Sequence, residues 1–312
     1  MLEILSVVAP VFVIIAAGYG AVRTHLFPKT GVAGLIIFVN AIATPCLLFR
    51  AMYEVDFGET FTLDIFLPYY LGAFVCFAVG IFAARAFFQR RPGESVVTGF
   101  SAFFSNTVLV GIPVIERAYG VDALTITFAI ISVHAAILFS TGMVTMELAR
   151  RDGAPLGVTL LRAARSLVTN PILIGVVLGV AGNLSGLPMP GLVDDVTELM
   201  ALAVIPVALF GLGGALNEYR VSENWQEATL AAGLKLVLHP LIAYVMTVHL
   251  FGVPIEVAKI VVLLSAMPSG INTYIFATYY NRNTGMAASA VLISTVAAFA
   301  SLTFWLWFLG LG

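Results

Sequence analysis

Ten runs of about twenty apolar residues follow one another along this chain with only short polar interruptions, and that rhythm leaves few folds open. A helix crossing about 30 Å of hydrocarbon needs about 20 such residues. The runs fall near Ile4–Val22, Val32–Met52, Ile65–Phe88, Val96–Ala118, Val121–Leu148, Leu167–Leu184, Val196–Leu216, Ala228–Leu250, Val257–Tyr280 and Gly285–Leu309. Hydrophobic residues fill 60% of the 312 positions and charged residues 10%, against about 45–50% and about 25% in soluble domains. Lipid must therefore cover most of the surface. The expected fold class is an all-α membrane protein of ten transmembrane helices.

Charge sets the orientation. With the N-terminus outside, alternate loops gather Arg23, Lys29, Arg85, Arg90, Arg91, Arg150, Arg151, Arg162, Arg165, Arg220 and Arg282, which is 11 of the 15 basic residues. The opposite loops hold Arg50, Arg117 and Lys259 and are rich in acid, with Glu54, Asp56, Glu59, Asp64, Asp194 and Asp195. The positive-inside rule then places both termini outside the cytoplasm in a multi-pass protein of the cell membrane. The first run has no basic flank before it and no small-residue cleavage site after it, so it reads as a span and not a signal peptide. A net charge of −2 without a basic stripe disfavours nucleic acid as a partner. Cys46 and Cys76 sit inside apolar runs at no metal-ligand spacing and read as small buried hydrophobes; no metal or cofactor is expected.

The basic stretch 149–166 divides the chain into 1–148 and 167–312, five spans each. An odd number of crossings inverts the second unit relative to the first. Two short matches support such a repeat: Pro-x-x-Leu-Phe at Pro45 and at Pro206, an offset of 161, and Asn-Thr at Asn106 and at Asn272, an offset of 166. Inverted repeats with helices broken near the midplane point to a secondary transporter site.

The fourth span reads Phe104-Ser105-Asn106-Thr107-Val108-Leu109-Val110-Gly111-Ile112-Pro113, and the ninth Ser265-Ala266-Met267-Pro268-Ser269-Gly270-Ile271-Asn272-Thr273-Tyr274. Each carries a proline and a glycine in mid-membrane, where a missing N–H and the ring's clash with the preceding turn make a continuous helix costly. Two half-helix ends meeting there would present N–H groups and positive dipole ends to a carboxylate. The bland alternative is a pair of proline kinks with polar residues joining helices.

Asn106-Thr107-x-x-Val110-Gly111-Ile112-Pro113 followed by Ala118-Tyr119-Gly120 resembles the fourth-span motif of the auxin efflux carrier family. Pro268-Ser269-Gly270-Ile271-Asn272-Thr273-Tyr274-Ile275-Phe276-Ala277 resembles the ninth-span motif of its bacterial members. The resemblance implies two inverted five-helix repeats, similar to bile-acid symporters and sodium/proton antiporters. Spans one, two, six and seven would form a scaffold that dimerises. Spans three to five and eight to ten would form an elevator-type transport domain in which spans four and nine cross at their prolines. It implies organic anions as substrates, auxin in plants and dicarboxylates in some bacteria. The short linker departs from plant members, so regulation through a long central loop is not expected. The register is open: aligning the asparagines sets Pro113 opposite Tyr279, whereas aligning the prolines gives an offset of 155.

Substrate-binding candidates are accordingly Asn106, Thr107, Gly111, Pro113, Pro268, Ser269, Gly270, Asn272, Thr273 and Tyr274. Lys235 and His239, four apart in span eight, share a helix face and are expected to point inward, where a cation would complement a carboxylate. Lys235 could instead snorkel to the interface, and His239 could make a structural hydrogen bond beside Pro240. His134 and Asn40 could line the cavity. No acidic residue lies deep in spans four, eight or nine, so sodium coupling through a carboxylate is not visible, and proton coupling stays open. No nucleophile–base or metal motif marks an intramembrane enzyme. An anion channel or a membrane-embedded sensor is the rival reading.

Overall fold

The computed structural model describes residues 2–150, 168–221 and 224–310, together with Gly157, Leu161 and Arg165. Most of the expected linker 149–166, Arg151 and Arg162 included, lies outside the described residues. The helices run in the order α1 (Leu2–Arg23), α2 (Lys29–Glu54), α3 (Leu63–Ala86), α4 (Pro92–Phe103), α5 (Ile112–Tyr119) and α6 (Val121–Arg150). They continue as α7 (Pro171–Ser185), α8 (Gly191–Glu218), α9 (Trp225–Leu250), α10 (Ile255–Ser265), α11 (Asn272–Tyr279) and α12 (Thr284–Phe308). Among the described residues there is no strand, only one isolated antiparallel bridge.

Seven of these helices, α1, α2, α3, α6, α8, α9 and α12, are long and apolar enough to cross a membrane, and α7 is a shorter apolar helix. The other four are the halves of two interrupted segments, 92–119 and 255–279, which fall on the expected fourth and ninth spans.

Three prolines within the helices are accommodated in the same way. Pro45, Pro113 and Pro240 each stand two residues after a widened turn with i→i+5 bonding, at Val39–Ala43, Thr107–Gly111 and Leu234–Leu238. The residue just before each proline donates five residues back, Thr44 to Val39, Ile112 to Thr107 and His239 to Leu234. The wider turn makes room for a ring that would otherwise strike the carbonyl one turn earlier. Such a freed carbonyl needs another donor in a membrane. Leu236, four residues before Pro240, accepts from Trp305 Nε1 at 2.9 Å and Ser301 Oγ at 3.0 Å on α12. Ser6, four before Pro10, accepts from Arg117 Nη2 at 2.7 Å at the end of α5.

Lipid tails are as apolar as the side chains they replace, so helices here associate through close contact. Glycines supply it. On α1 and α8, a Cβ added at Gly18 would lie 2.1 Å from the Phe210 carbonyl oxygen, and one at Gly213 would lie 1.9 Å from that of Ile15. On α7, Gly175 and Gly179 seat against the Pro45 and Phe49 carbonyls of α2, each at 2.4 Å by the same measure. The expected first and seventh spans thus pair, as do the second and sixth. α3, α9 and α12 pack around the interrupted segments, and the buried faces there carry Ala73, Cys76, Ala231, Ala287 and Ala290, with Ala102 on α4.

Candidate functional site

The two interruptions meet each other. α4 stops at Phe103, Phe104 turns to extended geometry (φ −84°, ψ 109°), and Asn106 sits at φ −82°, ψ 63° before the helix resumes. Residues 266–271 separate α10 from α11. Ser105 and Ser269 form the antiparallel bridge; Asn106 N–H donates to the Pro268 carbonyl at 2.8 Å and Gly270 N–H to the Phe104 carbonyl at 3.0 Å. Backbone groups that would be bare in hydrocarbon thereby satisfy one another. Ser269 anchors the crossing, its Oγ donating to the Ser101 carbonyl at 2.7 Å and its N–H to Ser294 Oγ at 3.0 Å.

Different chemistry breaks each segment. In the ninth, Pro268 sits in the gap, as expected. In the fourth, Asn106 caps the resumed helix, its Oδ1 accepting from Leu109 N–H at 3.3 Å, a local bond that competes with continuous helix. Pro113 is not at the break: it lies in the first turn of α5, and the chain winds on through it. The segments therefore do not cross at both prolines. Their meeting point at Ser105 and Ser269, 164 apart, rejects the proline register of 155 and lies close to the asparagine offset of 166.

Beside the crossing is a cavity of about 60 Å³, well under the ~150 Å³ that holds benzene in an engineered apolar cavity. A ligand there is compact, or the walls part for it. Its polar lining is Asn40, Ser105, Asn106, Thr107, His134 and Asn272, with Gly270 at the crossing and an apolar wall that includes Ile36, Ile131, Ile172 and Ile275. Asn106 Nδ2 and His134 Nε2 are buried without a hydrogen-bond partner, and the side chains of Asn40 and Asn272 make none among the described residues. The N–H groups of Thr107, Val108, Ile271 and Asn272 likewise donate to no acceptor among the described residues. Three amide side chains and two resumed-helix starts thus converge on one small space with donors to spare.

Lys235 and His239 share a face and point inward as expected, but not into the cavity. Neither lines the cavity, and both are fully buried, so Lys235 does not snorkel either. Lys235 Nζ lies 2.6 Å from His239 Nδ1 and donates to the Ser265 carbonyl at 2.7 Å, at the last residue of α10. An ammonium there meets the negative end of a helix dipole. His239 Nε2 lies 2.8 Å from the Tyr69 carbonyl. The pair braces the crossing from behind. Gly111, Pro113, Pro268, Ser269, Thr273 and Tyr274 also stay out of the lining. Gly111 keeps the wide turn close to α10, where an added Cβ would meet Leu264 Cδ1 at 3.0 Å. Thr273 is buried, and Tyr274 packs on Tyr219 with ring centroids 5.1 Å apart.

Several participants escape sequence reasoning. Tyr69 on α3 donates to Ser105 Oγ at 3.1 Å and lies 3.4 Å from His134 Nδ1; a tyrosine in an apolar run gives no signal of that. Ser105 escapes it too; its place directly before Asn106, a residue type suited to capping, is the signal that could have found it. Glu227, one residue before the expected eighth span, is fully buried; it pairs with Arg90 at 2.7 Å and accepts from Thr98 at 2.5 Å and Asn283 at 3.4 Å.

Known proteins complete the picture. The family profile described as membrane transport protein matches residues 3–306. A "Putative malonate transporter" of Rhizobium meliloti (strain 1021) is 27% identical over 97% of this chain and 95% of that protein. The uncharacterized transporter YfdV of Escherichia coli (strain K12) is 27% identical over 96% of this chain and 95% of its own length. Auxin efflux carrier component 8 of Arabidopsis thaliana is 23% identical over 95% of this chain and 94% of that protein. These relatives are transporters and not enzymes. An all-helical, multi-pass chain matched from end to end in this way belongs to the membrane transport protein family, that of the auxin efflux carriers.

Proposed function

We propose that the chain is a secondary carrier that moves a small organic anion across the cell membrane through the cavity at the crossing. The observation that carries this reading is the convergence of Asn40, Asn106 and Asn272 with four unpaired N–H groups where two interrupted helices meet. Donors without acceptors, at helix starts, suit a carboxylate. The names of the malonate and auxin relatives agree with an anionic cargo. In this reading the chain crosses ten times as two inverted five-helix units, 1–148 and 167–312, with both termini outside. α1, α2, α7 and α8 form the scaffold, and α3–α6 with α9–α12 carry the site in an elevator-type movement.

Uptake of labelled carboxylates into proteoliposomes tests it. Flux should saturate with concentration, and Asn106→Ala or Asn272→Ala should abolish it while the purified protein remains monodisperse. Unitary current steps without saturation would instead make the chain a channel, and normal uptake in both variants would remove the site.

A further inference from the structure

We propose that His134 is a proton-binding site of the cavity, and that the proton it takes up travels with the anionic cargo. The inference rests on the carrier reading and names its coupling ion.

His134 stands near the middle of α6 with its side chain enclosed. Phe104 meets the ring edge-on with centroids 5.0 Å apart, and Tyr69 does so at 5.8 Å. Hydrogen bonding sets the tautomer. Tyr69 directs its one hydroxyl proton to Ser105 Oγ at 3.1 Å, so toward His134 Nδ1, 3.4 Å away, its oxygen can only accept. Nδ1 therefore carries the ring proton and Nε2 keeps a lone pair. That Nε2 is buried without a partner, on a residue that lines the cavity.

A lone pair is out of character with a site otherwise made of donors, and beside a carboxylate it would repel. A proton on Nε2 converts the repulsion into a charge-assisted hydrogen bond. The lining contains no Asp, Glu, Lys or Arg to answer a charge in any other way. In the empty cavity an imidazolium would be a buried ion without a counter-ion, and so would a carboxylate facing a neutral ring. Each supplies what the other lacks, so anion and proton favour each other's binding by the same factor. One N–H bond forms at Nε2 with a proton drawn from water as the anion enters. When the anion leaves on the other face the counter-charge goes with it, and the proton returns to water.

The other titratable groups facing His134 are committed elsewhere. On α3, Tyr69 is bonded to Ser105, and Tyr70, 6.4 Å away between ring centroids, donates to the Ile130 carbonyl at 2.8 Å. On α9, Lys235 and His239 lie beyond Tyr69, bonded to each other and to the carbonyls of Ser265 and Tyr69. The charged residues of α10, Glu256 and Lys259, pair with each other. From α2 and the interrupted segments the cavity receives only the neutral polar side chains of Asn40, Ser105, Asn106, Thr107 and Asn272.

Titration calorimetry of the full-length purified protein with malonate and with phenylacetate, near pH 7.5 in two buffers of different ionisation enthalpy, counts the protons taken up per anion bound. The expected count is about one, and affinity should fall about tenfold from pH 7 to pH 8. His134→Gln and, as a second variant, His134→Asn keep a neutral N–H donor that does not titrate. Both should still bind the acids, with a count near zero and an affinity that no longer follows pH. Binding without proton uptake by the wild type, or a count that survives in both variants, would overturn the inference and leave the carrier reading standing. Binding of neither acid would overturn both.

Discussion

Nζ of Lys235 and Nδ1 of His239 stand 2.6 Å apart, a buried pair one turn apart on α9 in which each atom has a defined task. The Tyr69 carbonyl beside Nε2 can only accept, so Nε2 carries the ring proton. Nδ1 is then the lone-pair acceptor for the ammonium, whose second bond goes to the Ser265 carbonyl. The result is a chain of donors running from α9 to the end of α10 and to α3.

Replacing Lys235 by Met keeps the length of the side chain and removes both bonds. The Ser265 carbonyl and His239 Nδ1 are left buried and unpaired, at a cost of about 1–3 kcal/mol. Thermal unfolding in detergent should register the loss. Affinity for a bound carboxylate should change by no more than about twofold, since Lys235 does not reach the cavity; a collapse of affinity with stability intact would return it to the binding site.

Ser294→Ala tests the anchoring of the crossing. Ser269 N–H loses its only acceptor and stays buried, which should destabilise the protein by about 1–3 kcal/mol. Hydrogen exchange of the Ser269 amide should accelerate while that of α1 stays unchanged. Equal protection in variant and wild type would show that the bond contributes nothing.

Glycine substitutions separate packing from propensity. Gly213→Ala drives a methyl group into the Ile15 carbonyl and should destabilise by about 1–3 kcal/mol. Gly233→Ala, in α9 with nothing within 4 Å of the added carbon, should stabilise by about 0.5–1 kcal/mol. Melting temperatures moving in the same direction for both would contradict the packing of α1 on α8.

Glu227→Gln keeps an acceptor for Thr98 and deletes the charge that Arg90 faces. Because Arg90 is partly exposed, the loss should be modest, about 1 kcal/mol. Arg90→Gln in the same background should cost little more, and additive losses would show that the two side chains act independently.

The two interruptions were legible because they depend on local chemistry. Pro268 forbids a helix and its effect reaches only one turn; the cap made by Asn106 was not read from the sequence, which blamed Pro113 and Gly111 instead. Direction was harder. Spacing alone set Lys235 and His239 on one face, and they do touch, yet the face turned toward Ser265 and Tyr69 and away from the cavity. The widened turn at Leu234–Leu238 rotates the remainder of α9 relative to an ideal helix, and no hydropathy pattern reveals such a slip. Pro113 misled for the same reason: the wide turn before it absorbs the ring, so the residue that reads as the breaker is not one. Tyr69 and Glu227 became visible only through partners distant in sequence, Ser105 for one and Arg90 for the other.

Gly18 against Phe210 and Gly213 against Ile15 act as two pins in two sockets. Sliding α1 along α8 by even one residue would lift both alpha carbons from their carbonyls and push larger side chains into the gap, so that seam is locked. Where α5 meets α1, packing is joined by one arginine on two carbonyl oxygens, bonds that can let go without a steric collision. The seams of α1 on α8 and of α7 on α2 are held by backbone contact, and the arginine tie between α5 and α1 is the one that separates without a clash.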